Sequence, residues 1–246
     1  MEHYEDQVKY ELSVWQLSME KGESASGRLA KGIQDKINTI IPEKVHQVVT
    51  EGIKHMVRAV LAGSEYTATD PMNIGSLEER EKLIKDKIEA YKKLAAVEGA
   101  GTGAGGFLLS LADFPLLLGL KIKLLYEIAG LYGYKVKDYQ ERVFILYVFQ
   151  LAFSSTNTRK ETYQKILNWD TTTQTHLAGM SVFDWRSFQQ EYRDYIDLAK
   201  LLQLVPGIGA VVGAFANHRL VDKLGETAMN AYRLRWYNTA QKYIYR

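Results

Sequence analysis

Glu98-Gly-Ala-Gly-Thr-Gly-Ala-Gly-Gly106 and Pro206-Gly-Ile-Gly-Ala-Val-Val-Gly-Ala214 are the stretches on which the fold turns. Glycine inside a helix costs about 1 kcal/mol against alanine, so this density calls for a reason: close backbone packing, a break, or backbone offered to a ligand. Gly101 and Gly105 are four residues apart, as are Gly209 and Gly213. On a helix each pair forms a smooth strip that admits a neighbouring backbone, and the shared spacing permits one segment to pack against the other. Asp113-Phe-Pro115, just beyond the first stretch, supplies a cap and a first-turn proline for a following helix. The expectation is an all-α fold, one compact multi-helix domain over residues 1–246 with a glycine-rich apolar central helical hairpin.

The flanking sequence is helical in period. Val8, Leu12, Trp15 and Met19 recur at three- or four-residue spacing in a segment ending near Gly22. A second helix is expected over Ala25 to Ile40, and Pro42 can open a third that runs to about Ala62. Residues up to about 70 are the least diagnostic part of the chain. Ser76-Leu-Glu-Glu79, Asp138-Tyr-Gln-Glu141 and Thr158-Arg-Lys-Glu161 each set a capping oxygen three residues before a glutamate. After Ser76 the pattern predicts a helix through Val97, with Glu78 to Lys87 supplying a charged solvent face around Leu83, Ile84, Ile88 and Leu94.

The helix opened by Asp113 carries Leu116, Leu117, Leu120, Leu124 and Ile128 as far as Tyr132-Gly-Tyr134. Val143 to Ala152 has strand propensity locally, but its length and surroundings favour a buried helix. Residues 168 to 184 read as a loop or crossover, and a helical region begins at Asp184. Pro206-Gly207 is a break, and the last helix is expected from about Gly225 to Tyr243.

Composition excludes several functions. With no cysteine there is no disulfide, thiolate nucleophile or cysteine metal site. The histidines at 3, 46, 55, 176 and 218 are dispersed and form no HExxH, and no serine sits in a nucleophile elbow, so no metal or cofactor is expected. Gly101-Thr-Gly-Ala-Gly-Gly106 formally matches GxGxxG but follows a helical pattern, not a strand, and no P-loop lysine is present. A net charge of +2 gives little reason to expect nucleic acid. The acidic start, Met1-Glu-His-Tyr-Glu-Asp, is unlike a secretory signal, and a cytoplasmic location is expected.

Two surfaces remain as candidates. Residues 99 to 120 contain Asp113 as their only ionisable group and approach a spanning length, but five early glycines and the Asp113-Phe-Pro115 break argue against a simple span. A buried hairpin and membrane-surface association both fit this segment. On an uninterrupted helix Glu98, Thr102 and Asp113 share one sector. With Asn217 and His218 they are the candidate ligand-binding residues, set against ordinary capping and pairing. A neutral and a charged carboxylate could serve as acid and base there, provided that they meet in space. Near the C-terminus Arg233, Arg235, Trp236, Lys242 and Tyr243 could meet an anionic membrane or a protein groove, or could belong to a helix with Leu224, Ala228, Ala231 and Leu234 turned to the core.

Val97-Glu-Gly-Ala-Gly-Thr-Gly-Ala-Gly-Gly106, Asp113-Phe-Pro115, Ile128-Ala-Gly-Leu-Tyr-Gly-Tyr134, Pro206-Gly-Ile-Gly209, Asn217 and Ala231-Tyr-Arg-Leu-Arg-Trp236 together resemble the EcsC family over roughly the last two-thirds of the chain. The resemblance implies a mostly helical bacterial protein and, through the family's link to an ABC-transporter gene context, membrane-associated physiology. Many relatives have an acid after the central Gly-Tyr, where this chain has Lys135. The functional expectation is a nonenzymatic interaction protein at the cytoplasmic face of the membrane, with a lipid surface or membrane protein as partner. The alternative is a small-molecule binding protein or hydrolase with a polar pocket near the glycine-rich segments.

Overall fold

A computed structural model describes residues 2–21, 43–63, 71–72, 75–104, 114–169, 188 and 209–244. Among them are seven helices and no strand: α1 (Glu2–Glu20), α2 (Glu43–Ala62), α3 (Leu77–Ala104), α4 (Phe114–Leu131), α5 (Tyr139–Phe153), α6 (Thr156–Leu167) and α7 (Gly209–Ile244). The all-helical expectation holds for these residues. The expected helix over 25–40, the 105–113 connection and most of the 168–208 region lie outside them.

The capping box written at Ser76 starts α3. The Ser76 backbone N–H donates to Glu79 Oε2 at 2.9 Å, and the Glu79 N–H donates to Ser76 Oγ at 3.3 Å. From there Leu77, Arg80, Glu81, Ile84, Ile88, Tyr91, Lys92 and Ala95 are buried, a stripe of three- and four-residue steps. This corrects the expected solvent face: Arg80 and Glu81 lie inside, whereas Leu83 and Leu94 are exposed. The stripe is set by geometry on the helix, and its charged members are tolerated because partners on other helices meet them.

The partner of α3 is α7, running antiparallel. Glu81 pairs with Arg233, Lys92 with Asp222, and Ile88 packs on Gly225 between them. A Cβ at Gly225 would stand 2.7 Å from Ile88 Cγ1 and Cδ1. That glycine therefore lies inside one continuous helix from Gly209, not at the start of a helix as the sequence suggested, and close packing outweighs its poor helix propensity. α3 likewise continues past Val97 to Ala104, through several of the glycines. α4 returns antiparallel to α3, with the Arg80 guanidinium donating to the Leu131 carbonyl at 2.7 Å and the Tyr91 hydroxyl to Glu127 at 2.7 Å.

α4 ends in a Schellman arrangement at Tyr132-Gly-Tyr134. The Gly133 N–H donates to the Gly130 carbonyl at 3.0 Å, the Tyr134 N–H to the Ala129 carbonyl at 2.9 Å, and Gly133 has φ of 90°. α5 is helical, as length and context indicated, and its inward residues Phe144, Ile145, Val148 and Phe149 are wholly buried. Two expected caps differ. Asp138 precedes α5 without a side-chain cap hydrogen bond, Glu141 turns to the interior to meet Tyr232 and Arg235, and α6 begins after Ser155, so that Thr158 falls inside it. α1 contributes Val8, Leu12 and Trp15 to the core, with the Trp15 ring edge-on to Tyr163.

Alanine substitutions separate these two glycine roles. Gly133→Ala should cost about 1–2 kcal/mol, the penalty of a Cβ in the left-handed region. Gly225→Ala should also destabilise, since overpacking of about 1–3 kcal/mol outweighs a propensity gain of about 1 kcal/mol. Ile88→Ala combined with Gly225→Ala should cost less than the sum of the two single changes in urea unfolding. Strict additivity would show that the two positions do not touch.

Candidate functional site

Glu81 sits at the centre of the bundle, with no exposed surface. Its two oxygens accept from Arg233 Nε at 2.7 Å and Nη2 at 2.5 Å, from the Tyr132 hydroxyl at 2.9 Å and from the Tyr4 hydroxyl at 2.8 Å. Arg233, itself buried, also donates to Glu11 at 3.1 Å and to Asn230 at 3.2 Å. Burial opposes the charge on Arg233, but the carboxylate outweighs it and holds the guanidinium firmly protonated. Four elements thereby meet at one carboxylate: α1, α3, the end of α4 and α7.

A second cluster repeats the chemistry beside the first. Arg235 donates to both oxygens of Glu141, at 3.0 and 2.8 Å, and the Tyr232 hydroxyl donates to the same carboxylate at 2.5 Å. The guanidinium carbon lies 3.8 Å from the Tyr134 ring centre and 4.3 Å from that of Phe144, so π-faces cover the cation while a carboxylate neutralises it. Tyr132 stacks on Tyr232 at 5.4 Å between the two clusters. Both buried carboxylates are engaged by an arginine and by tyrosine, an arrangement that holds helices together.

The structure distributes the sequence candidates unevenly. Glu98 is half-buried near the end of α3, Asn217 is buried and His218 half-buried on α7, and the antiparallel register sets Glu98 and Asn217 at the same level. The Thr102, Lys242 and Tyr243 side chains and all of Asp113 lie outside the described parts. Arg233 and Arg235 point inward and are neutralised by Glu81 and Glu141, and Trp236 lies against Arg80 at 5.2 Å, so none of the three presents a free basic surface. Glu81 and Glu141 were missed as organising residues. The available signal was position: Glu81 stands between Leu77 and Ile84 in the apolar stripe.

Two outward features remain. The registers of α3, α4 and α7 bring the C-terminal part of α3 and the N-terminal parts of α4 and α7 to one end of the bundle. There Val97, Leu116 and Phe215 are 71%, 58% and 59% exposed. Lys93, one turn from Val97, and Arg219, one turn from Phe215, are exposed, with the Arg219 guanidinium 4.8 Å from the Phe215 ring centre, and Lys123 is exposed two turns along α4 from Leu116. The second feature is an open cleft of about 700 Å³ between α2 and α4, with mainly apolar walls that include Met56, Val60, Gly119, Ile122 and Tyr126. Among the described residues no group of three His, Asp or Glu side chains could hold a metal ion, and no helix is long and apolar enough to cross a membrane.

The EcsC protein family model matches residues 6–237. The chain belongs to the EcsC protein family. Protein EcsC of Bacillus subtilis (strain 168) is 50% identical over 222 residues, covering 90% of this chain and 91% of the relative. A second relative from the same organism, Uncharacterized protein YdbA, is 30% identical over 211 residues, covering 82% and 78%. No solved structure matches.

The buried tyrosines give the interior an alkaline signature. Burial, followed by the adjacent carboxylates, raises the Tyr132 and Tyr232 phenols well above their ordinary value, and burial pushes Tyr126 and Tyr237 up to about 12. A folded-state value above the unfolded value of about 10 means that folding retains the proton. The associated stability is intact below about pH 10 and is lost as pH rises through the folded values. Phenolate absorbance should therefore rise in two stages, the later one coinciding with loss of helical circular dichroism. Ionisation of all 16 tyrosines near pH 10 with the helices intact would contradict this interior.

Proposed function

We propose that this protein is a nonenzymatic interaction protein that works at the cytoplasmic face of the membrane, with the apolar end of the α3/α4/α7 bundle as its contact surface. The observation that carries the reading is that Val97, Leu116 and Phe215, on three helices whose registers bring them to that end, are each exposed, with Lys93 and Arg219 one helical turn from Val97 and Phe215. Isolated surface apolar residues are ordinary, but exposed apolar side chains carried to one end by three helices, with cations nearby on the same helices, suit an anionic lipid surface.

In this reading the Gly99–Ala104 and Gly209–Gly213 stretches, both rich in small residues, lie alongside one another, in keeping with the Glu81–Arg233 and Lys92–Asp222 pairs of α3 and α7. Such stretches can approach closely and expose backbone-rich, apolar surface. Each apolar side chain buried in the interface contributes about 1.5–3 kcal/mol and each cation near anionic headgroups about 1 kcal/mol, enough in combination for reversible association. The ABC-transporter gene context that the family resemblance implies is in keeping with that location. Because the C-terminal arginines are internally neutralised, this reading rests on the bundle end instead of the basic aromatic terminus.

Flotation with phosphatidylglycerol vesicles should carry the protein upward, with phosphatidylcholine vesicles much less effective and added salt weakening the association. Val97→Glu with Phe215→Glu should leave the fold intact, since both sites are exposed, and should abolish flotation. Wild-type protein that stays at the bottom with both lipids, or a charged variant that floats as wild type does, would refute the reading.

A further inference from the structure

We propose that the cleft between α2 and α4 is a binding site for a single-chain anionic amphiphile of the fatty-acid type, its chain laid against Gly119 and its carboxylate held by Lys123. The site stands apart from the polar residues around Glu98 and does not require the membrane contact.

Three observations converge. First, Gly119 lies in the interior of α4, and a Cβ built on it would meet nothing within 4 Å. Alanine there would strengthen the helix without a clash, so the glycine serves the space in front of it, where an uninterrupted strip of backbone lets a flat or chain-like ligand approach closely. Second, Tyr126 is almost wholly buried in the cleft wall, and its hydroxyl has no hydrogen-bond partner among the described residues. The hydroxyl is not sealed from solvent, so it is free to donate to a ligand lying in the cleft. Third, the rim is unbalanced in charge: Glu51 already meets Lys54 at 3.0 Å and His55 at 3.7 Å, whereas among the described residues no carboxylate lies within ion-pair distance of Lys123.

The volume and the chemistry narrow the ligand. About 700 Å³ lies within the ordinary range for small-molecule sites. The walls offer Met56, Val60 and Ile122 to a hydrocarbon chain, and among the described residues the rim presents Lys123 as a cation without an acidic partner, for one acidic head. Polar metabolites would leave most of this surface without a counterpart, whereas an uncharged chain would leave Lys123 unused.

Full-chain protein titrated with the fluorescent fatty acid cis-parinaric acid, without vesicles, tests the site. The expected result is saturable one-to-one binding displaced by palmitate. Gly119→Phe fills the open space and should weaken the probe by at least about tenfold while the thermal midpoint is kept. If phenylalanine lowers that midpoint, Gly119→Leu carries the comparison. Lys123→Gln, on an exposed side chain, should weaken the fatty acid several-fold yet leave displacement by the alcohol of the same chain length unchanged. Non-saturable binding, full affinity in a folded Gly119 variant, or equal loss of acid and alcohol in Lys123→Gln would overturn the assignment. Fatty-acid binding without flotation would sink the membrane reading alone, and flotation without fatty-acid binding would sink this one alone.

Discussion

A carboxylate removed from water in the middle of a helical bundle is costly by several kcal/mol unless its surroundings replace the lost hydration, and Glu81 is in that position. Two N–H groups of Arg233 and the hydroxyls of Tyr4 and Tyr132 supply the replacement. The donors come from α1, from the end of α4 and from α7, so the charge is satisfied only when all of them dock on α3 in one register. Sliding α7 by a turn would strand both charges. The ion pair thus acts less as a source of net stability than as a selector among ways of packing apolar helices that would otherwise be close in energy.

The rest of the interior follows from that register. Gly225 comes opposite Ile88, where any side chain would collide, and Lys92 reaches Asp222 at 2.8 Å one turn further on. The Schellman turn at Gly133 aims Tyr132 at Glu81 and Tyr134 at Arg235, so one tight turn serves both buried ion pairs. Tyr232 lies between them, stacked on Tyr132 and bonded to Glu141. The same alignment leaves the far ends of α3, α4 and α7 at one extremity of the bundle with apolar side chains outside, away from the charged centre.

Much of this was legible in the sequence where the determinant was local. The Ser76–Glu79 box, the Val8-Leu12-Trp15 stripe and the buried run after Val143 depend on spacing and nearby caps, and the helices formed as those signals indicate. What escaped was set by distant partners. Arg80 and Glu81 read as solvent-facing charges because charged side chains are rarely buried alone, and the partner of Glu81 lies 152 residues away. Arg233 and Arg235 read as a basic surface for the same reason. Gly225 read as a boundary because propensity sees only the lost Cβ and not the Ile88 side chain that takes its place. In the candidate site, Glu98 and Asn217 come level as the shared helix geometry allows, whereas the α2/α4 cleft depends on packing between helices that no motif announces.

The bundle-end surface inherits its geometry from the central register, so the coupling between Glu81 and Arg233 is the quantity to measure. Urea unfolding of Glu81→Leu, Arg233→Met and the double variant forms a thermodynamic cycle. Each single change leaves a buried charge without its counterpart and should cost about 3–5 kcal/mol, whereas the double change should recover at least about 2 kcal/mol of the summed loss. Losses that simply add would mean that the two side chains do not meet in the core, and the packing of α3 against α7 would have to be redrawn.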